Sequence, residues 1–169
     1  MTLAVGIDLG ATNIRLALVD TQPQSRLVPE LRGEQKRKLP ATDADTVVGV
    51  IADGLAALAG AAPGAATAPV GIGVAGMLRG DTGIVDNAPN LGWRDVDFGG
   101  MLRARAPGHR FELNNDVNAI TFGEYAFGAG RGARDILCVF MGTGIGGGIV
   151  AGGHLVKGAS HIAGEIGHT

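Results

Sequence analysis

Among 169 residues there is one cysteine, so no disulfide can form within the chain. That residue, Cys138, sits in the apolar run Ile136-Leu137-Cys138-Val139-Phe140 and reads as a small buried hydrophobe. No apolar run approaches the roughly 18 residues of a membrane span. No basic segment precedes the first strand as in a signal peptide, so the expected location is cytoplasmic. An excess of one charge is missing too. Fourteen Lys and Arg against sixteen Asp and Glu give a net charge of −2 and a pI near 6.0. There is therefore no electrostatic case for a nucleic-acid partner or an anionic membrane. The phosphate-binding pattern GxxxxGK[ST] occurs nowhere, which excludes a P-loop.

Glycine, by contrast, is abundant: 30 residues, far above the usual roughly 7%. Such a backbone makes many tight turns or approaches a ligand closely. Hydrophobic residues make up 46% and mean hydropathy is +0.23, as in a well-packed soluble protein. The length allows one core burying roughly 68–70% of the unfolded surface, or one domain with a fragment of the next.

Leu3 to Leu9 is a β-like run that stops at Asp8-Leu9-Gly10-Ala11-Thr12-Asn13, and Ile14 to Val19 alternates after it. The pattern predicts a hairpin around DLGATN. The loop is either an ordinary glycine turn or one that aims backbone amides at a phosphate while the acid reaches a metal-bound water. The polar stretch to Lys38 predicts an edge strand whose Lys36, Arg37 and Lys38 are solvated. Thr42 or Asp43 caps a helix from about 44 to 61, with Val47, Val48, Ile51, Leu55 and Leu58 as its buried stripe. Val70 to Gly76 reads as a buried strand whose glycines admit a close neighbour. Asn87 to Trp93 reads as an irregular loop in which Asn90 and Trp93 are structural or ligand-binding. Val96 to Arg105 is a short helix, and Arg110 to Leu113 a strand. The alternation of strands and helices predicts an α/β sandwich.

Phe111 to Gly128 is the stretch on which the rest turns. A strand ends, Asn114-Asn115-Asp116 breaks it, and a helix follows with Val117, Ile120 and Phe127 on one face. The polar residues are good helix caps. Equally, Asp116 stands at the carboxyl end of a strand, where open α/β sheets bind ligands, and could take a proton from a hydroxyl while Asn115 holds a sugar. Asp135 to Met141 is a second buried strand. It ends in Gly142-Thr143-Gly144-Ile145-Gly146-Gly147-Gly148, read as a glycine-rich turn before Ile149. Because a strand follows, not a helix, it is no dinucleotide fingerprint. Near the end, Glu165 and His168 stand three apart, a weak metal or substrate signal by themselves.

Asp8-Leu9-Gly10-Ala11-Thr12, Asn115-Asp116-Val117-Asn118-Ala119, the GTGIGGG run and Gly164-Glu165-Ile166-Gly167-His168 stand in this order along the chain. In order and separation they resemble the ROK family (repressors, open reading frames and kinases), especially its bacterial glucokinases. The resemblance implies an actin-like ATPase, ribonuclease H-like α/β fold, a mixed sheet flanked by helices. Residues 1–127 would form the sugar-kinase lobe and 128–169 the first strands of an incomplete nucleotide-binding lobe. It further implies ATP-dependent phosphorylation of a hexose, glucose before others, by a full-length homodimer. Asp116 would be the general base. Gly76, Asn90, Asn115, Glu165 and His168 would join it in holding the sugar. Asp8, Gly10, Ala11, Thr12, Asn13, Gly142, Thr143 and Gly144 would hold the phosphates, with Asp8 reaching Mg²⁺ through water. His168 would be one ligand of a structural Zn²⁺ whose cysteine cluster this sequence does not contain. A non-catalytic, sugar-responsive regulator or an inactive fragment is the alternative. On the same resemblance, the DNA-binding segment that the repressor members carry ahead of the first phosphate loop would not be expected here.

Overall fold

The computed structural model describes residues 2–22, 28–141 and 144–168, with residue 168 by its backbone alone. Strand β1 (Leu3–Leu9) turns through residues 10–12 into β2 (Asn13–Asp20), with Leu9 opposite Ile14. Their alternation sets Leu3, Val5, Ile7, Leu9, Ile14, Leu16 and Leu18 on one buried face. β3 (Glu30–Lys38) pairs antiparallel with β2 and forms the sheet edge that carries the basic cluster. α1 (Ala44–Ala59) begins at Asp43, whose carboxylate accepts the Thr46 amide at 2.9 Å, and it buries the expected stripe. β4 (Val70–Val74) adds parallel to β1.

Next come β5 (Met77–Leu78), β6 (Val85–Ala88) and β7 (Trp93–Val96), which make a small antiparallel sheet of their own. The stretch expected as an irregular loop thus consists of two strand ends joined by a tight turn. Trp93 is structural. Its Nε1 donates to the Thr42 carbonyl at 2.6 Å, and its ring lies 4.8 Å from that of Phe98. α2 (Phe98–Arg105), capped by Asp97, leads to β8 (Phe111–Asn115), which adds parallel to β4. The main sheet therefore runs β3-β2-β1-β4-β8. Its Val/Ile/Leu face packs under α1 and α2, while its other face carries Gly6, Ala17, Gly71 and Gly73.

α3 (Asp116–Phe127) meets that second face at Gly73. Beyond it β9 (Ile136–Met141), β10 (Ile145–Ala151) and β11 (His154–Leu155) form a third sheet, ordered β11-β10-β9. Two expectations fail here for one reason, the identity of the neighbouring element. The helix buries Asn118 and Thr121, while on the face shared by Val117, Ile120 and Phe127 the last two are 50% and 45% exposed. From β10, Gly146 faces Val117 and Gly148 faces Thr121, and these β-branched side chains find room because the strand carries no Cβ there. Gly146, Gly147 and Gly148 accordingly lie inside a strand, not in a turn. The strand 136–141 is not buried, because β9 is an edge; Leu137, Val139 and Met141 are exposed and Cys138 only half-buried. No helix among the described residues is long and apolar enough to cross a membrane.

Asp20 closes the β1–β2 ladder with a buried carboxylate. Burial pushes its pKa up. The Gln22 and Thr2 amides, at 3.2 and 3.1 Å, and the Arg32 guanidinium more than offset this and hold it below the ordinary carboxylate value. A pKa depressed by folding gives stability that is present above the unfolded value and lost as pH falls through the folded one. Asp20→Asn should therefore flatten the acid side of the stability profile below about pH 4. Urea midpoints of both proteins from neutral to acid pH check it.

Candidate active site

β8 runs out at Asn115, paired in register with Val74, and the chain turns directly into α3. Asn115 is the helix cap: its Oδ1 accepts the Asn118 amide at 3.1 Å, while its Nδ2 donates to the Gly76 carbonyl at 3.2 Å. The capping role and the carboxylate role thus fall on neighbouring residues. Asp116, the first helical residue, has one oxygen accepting the Val117 amide at 2.9 Å.

Asp116 lines an open groove of about 770 Å³ together with Asp8, Arg15, Gly73, Asp81 and Lys157. Asp8 projects from β1 on the sheet face away from α1 and is exposed. Gly73 stands between the two acids. A Cβ there would lie 3.3 Å from the Asp116 Cα, so the glycine lets α3 lie against the sheet. The DLGATN loop is the tight hairpin turn expected, with the Gly10 amide donating to the Asn13 carbonyl at 3.1 Å and the Thr12 carbonyl accepting from Leu39 at 2.9 Å.

The other candidate positions divide. Gly76 is packed: a Cβ would stand 2.7 Å from the Asn87 carbonyl oxygen. Asn90 is exposed in the turn between β6 and β7 and does not line the groove. Glu165, whose amide donates to the Ile162 carbonyl at 3.3 Å, lies just after Gly164, which is packed against β10. His168 ends a short 3₁₀ turn, Ile166–His168. Gly142 and Thr143 lie outside the described residues, and Gly144 is exposed. Among the described residues no three His, Cys, Asp or Glu side chains gather as a metal site. For Mg²⁺, which prefers oxygen ligands and retains several waters, the exposed Asp8 carboxylate is a fitting donor beside the groove.

Two groove residues escaped the sequence reading. Lys157 Nζ meets Asp81 Oδ1 at 2.6 Å and holds the Asp81 carboxyl below the ordinary carboxylate value. These residues are 76 positions apart, and nothing local in either segment announces the pair.

The sequence matches the model of the ROK family over residues 4–169. The chain belongs to the ROK family. It is 36% identical to a glucokinase of Streptomyces coelicolor over 168 residues, 99% of this chain and 50% of that protein. It is 30% identical to the xylose repressor of Bacillus subtilis, over 98% of this chain and 41% of the repressor. Among solved structures it superposes on a ROK family glucokinase from Streptomyces griseus, in complex with glucose and AMPPNP, with a TM-score of 0.81. Identity there is 36%, with 99% of this chain and 50% of that one covered. The chain thus spans about half the length of the glucokinases it matches. Its fold is the actin-like, ribonuclease H-like α/β fold of ROK sugar kinases.

Proposed function

We propose that these residues form the catalytic-base half of an ATP-dependent hexose kinase, with glucose the first substrate to try. Residues 1–127 make the sugar-side lobe, and residues 128–169 open the nucleotide-side lobe. The observation that carries the reading is one groove holding Asp8 at the end of β1 and Asp116 at the start of α3. Phosphoryl transfer asks a protein mainly to position two reactants and neutralise charge. Asp116 accepts the proton of the attacking hydroxyl. The turn 10–13 holds the phosphates with backbone amides, and Gly142, Thr143 and Gly144 are assigned to the same task. Asp8 orients the waters of Mg²⁺, which supplies charge neutralisation when bound. The sugar-holding set we assign is Asn115 beside Asp116, with Glu165 and His168; Asn90 and Gly76, which lie outside the groove, belong to that set by sequence resemblance alone. The acceptable alternative is a sugar-responsive regulator on the same fold, favoured by the likeness to a xylose repressor.

Asp8→Ala in the full-length protein should raise the nucleotide KM or lower kcat and leave glucose affinity without nucleotide unchanged. Calorimetric titration with glucose beside steady-state kinetics tests it. A tenfold loss of glucose affinity would count against the assignment, and glucose binding by wild type without any turnover would favour the regulator.

A further inference from the structure

α3 is held between two strands that both present glycine to it. On one side Gly73 of β4 faces Asp116 and Ala119. On the other, a Cβ on Gly146 would stand 3.1 Å from Val117 Cγ2. A Cβ on Gly148 would stand 2.7 Å from Thr121 Cβ, and closer still to its Oγ1. The intervening Gly147 faces the opposite way: its Cβ would come 2.7 Å from the Gly164 carbonyl oxygen and 3.0 Å from Ile166 Cδ1. Gly164 itself has φ +93°, a left-handed conformation that glycine adopts without strain. β10 thus touches the Asp116 helix with one face and the Glu165 segment with the other, and it begins immediately after residues 142–144.

We propose that Gly148 and Gly147 are positioning residues with separate tasks. Gly148, against Thr121, sets the distance of the Asp116 helix from the phosphate-side strand. Gly147, against Gly164, sets the segment that carries Glu165. Asn115 caps α3 but is also tied to the sheet, by its pairing with Val74 and its bond to the Gly76 carbonyl. Displacing α3 from β10 therefore moves the base more than the sugar contact beside it. A methyl group at 148 cannot be absorbed by a flexible side-chain end, because Thr121 is β-branched, fully buried and stiff.

This inference rests on the kinase reading, which wild-type turnover tests separately. The experiment uses the full-length protein, with kcat normalised to the glucose-binding stoichiometry so that loss of folded protein does not enter. Gly148→Ala should lower normalised kcat by about 10²-fold, the cost of a misplacement of about 1 Å, and leave the glucose KM within about threefold. Adding Thr121→Gly, which removes the opposing Cβ, should recover most of that kcat. Gly147→Ala should instead raise the glucose KM by about tenfold or more with the smaller effect on kcat. Should Gly148→Ala fail to fold, Thr121→Ala loosens the same seat from the helix side and should lower normalised kcat several-fold. Unchanged kcat in the variant that folds, no recovery in the double variant, or the same kinetic signature from Gly147→Ala would overturn the proposal.

Discussion

Asp116→Asn in the full-length protein should lose roughly 10²-fold or more in kcat while glucose affinity stays within a few-fold. The substitution is nearly isosteric. An asparagine Oδ1 can still accept the Val117 amide that Asp116 accepts at 2.9 Å, so the side chain has no reason to turn. The cap at Asn115 and its bond to Gly76 involve other atoms and are untouched. What disappears is the ability to take a proton. Helix stability should fall only slightly, through the lost negative charge at the N-terminus of α3. Single-turnover kinetics with glucose titrations check both halves of the statement. Wild-type turnover in this variant would remove Asp116 from the base role.

The second large effect concerns the 169-residue chain expressed alone. Its β9 edge presents Leu137, Val139 and Met141 at 62, 52 and 85% exposure. A flat apolar edge of this kind is a template for pairing with another chain. Ile120, Phe122 and Phe127 of α3 add further exposed apolar surface. We expect this polypeptide to self-associate and to phosphorylate hexose poorly or not at all. Leu137→Lys with Val139→Lys should shift it toward the monomer. Sedimentation velocity of both forms decides; a monomeric, fully active unsubstituted chain would contradict the two-lobe account.

Much of residues 1–115 was legible from the sequence alone, because there the partner of each apolar face is local or repeats a simple period. The β1–β2 alternation, the Asp43 cap and the α1 stripe all follow from neighbours within one element. The strand-to-helix corner at Asn115-Asp116 was legible for the same reason, and the cap proved to be Asn115, with Asp116 the first residue of the helix. The misreadings lie where a distant partner decides. Hydrophobic periodicity put Val117, Ile120 and Phe127 of α3 on one face but says nothing of what stands opposite; Gly146 and Gly148 of β10 seat Val117 and Thr121, while Ile120 and Phe127 stay exposed. The glycines 146–148 read as a turn because local propensity disfavours them in a strand, and only the helix lying against them explains their presence. The Asp81–Lys157 pair could not be foreseen, since its halves meet only through the tertiary fold.

The most direct test of the central claim is product formation by the full-length protein given ATP, Mg²⁺ and glucose. The account predicts hexose phosphate and ADP appearing in equal amounts, with both dependent on Asp116. Glucose binding with no ADP formed, or ATP hydrolysis that leaves the sugar unphosphorylated, would contradict it.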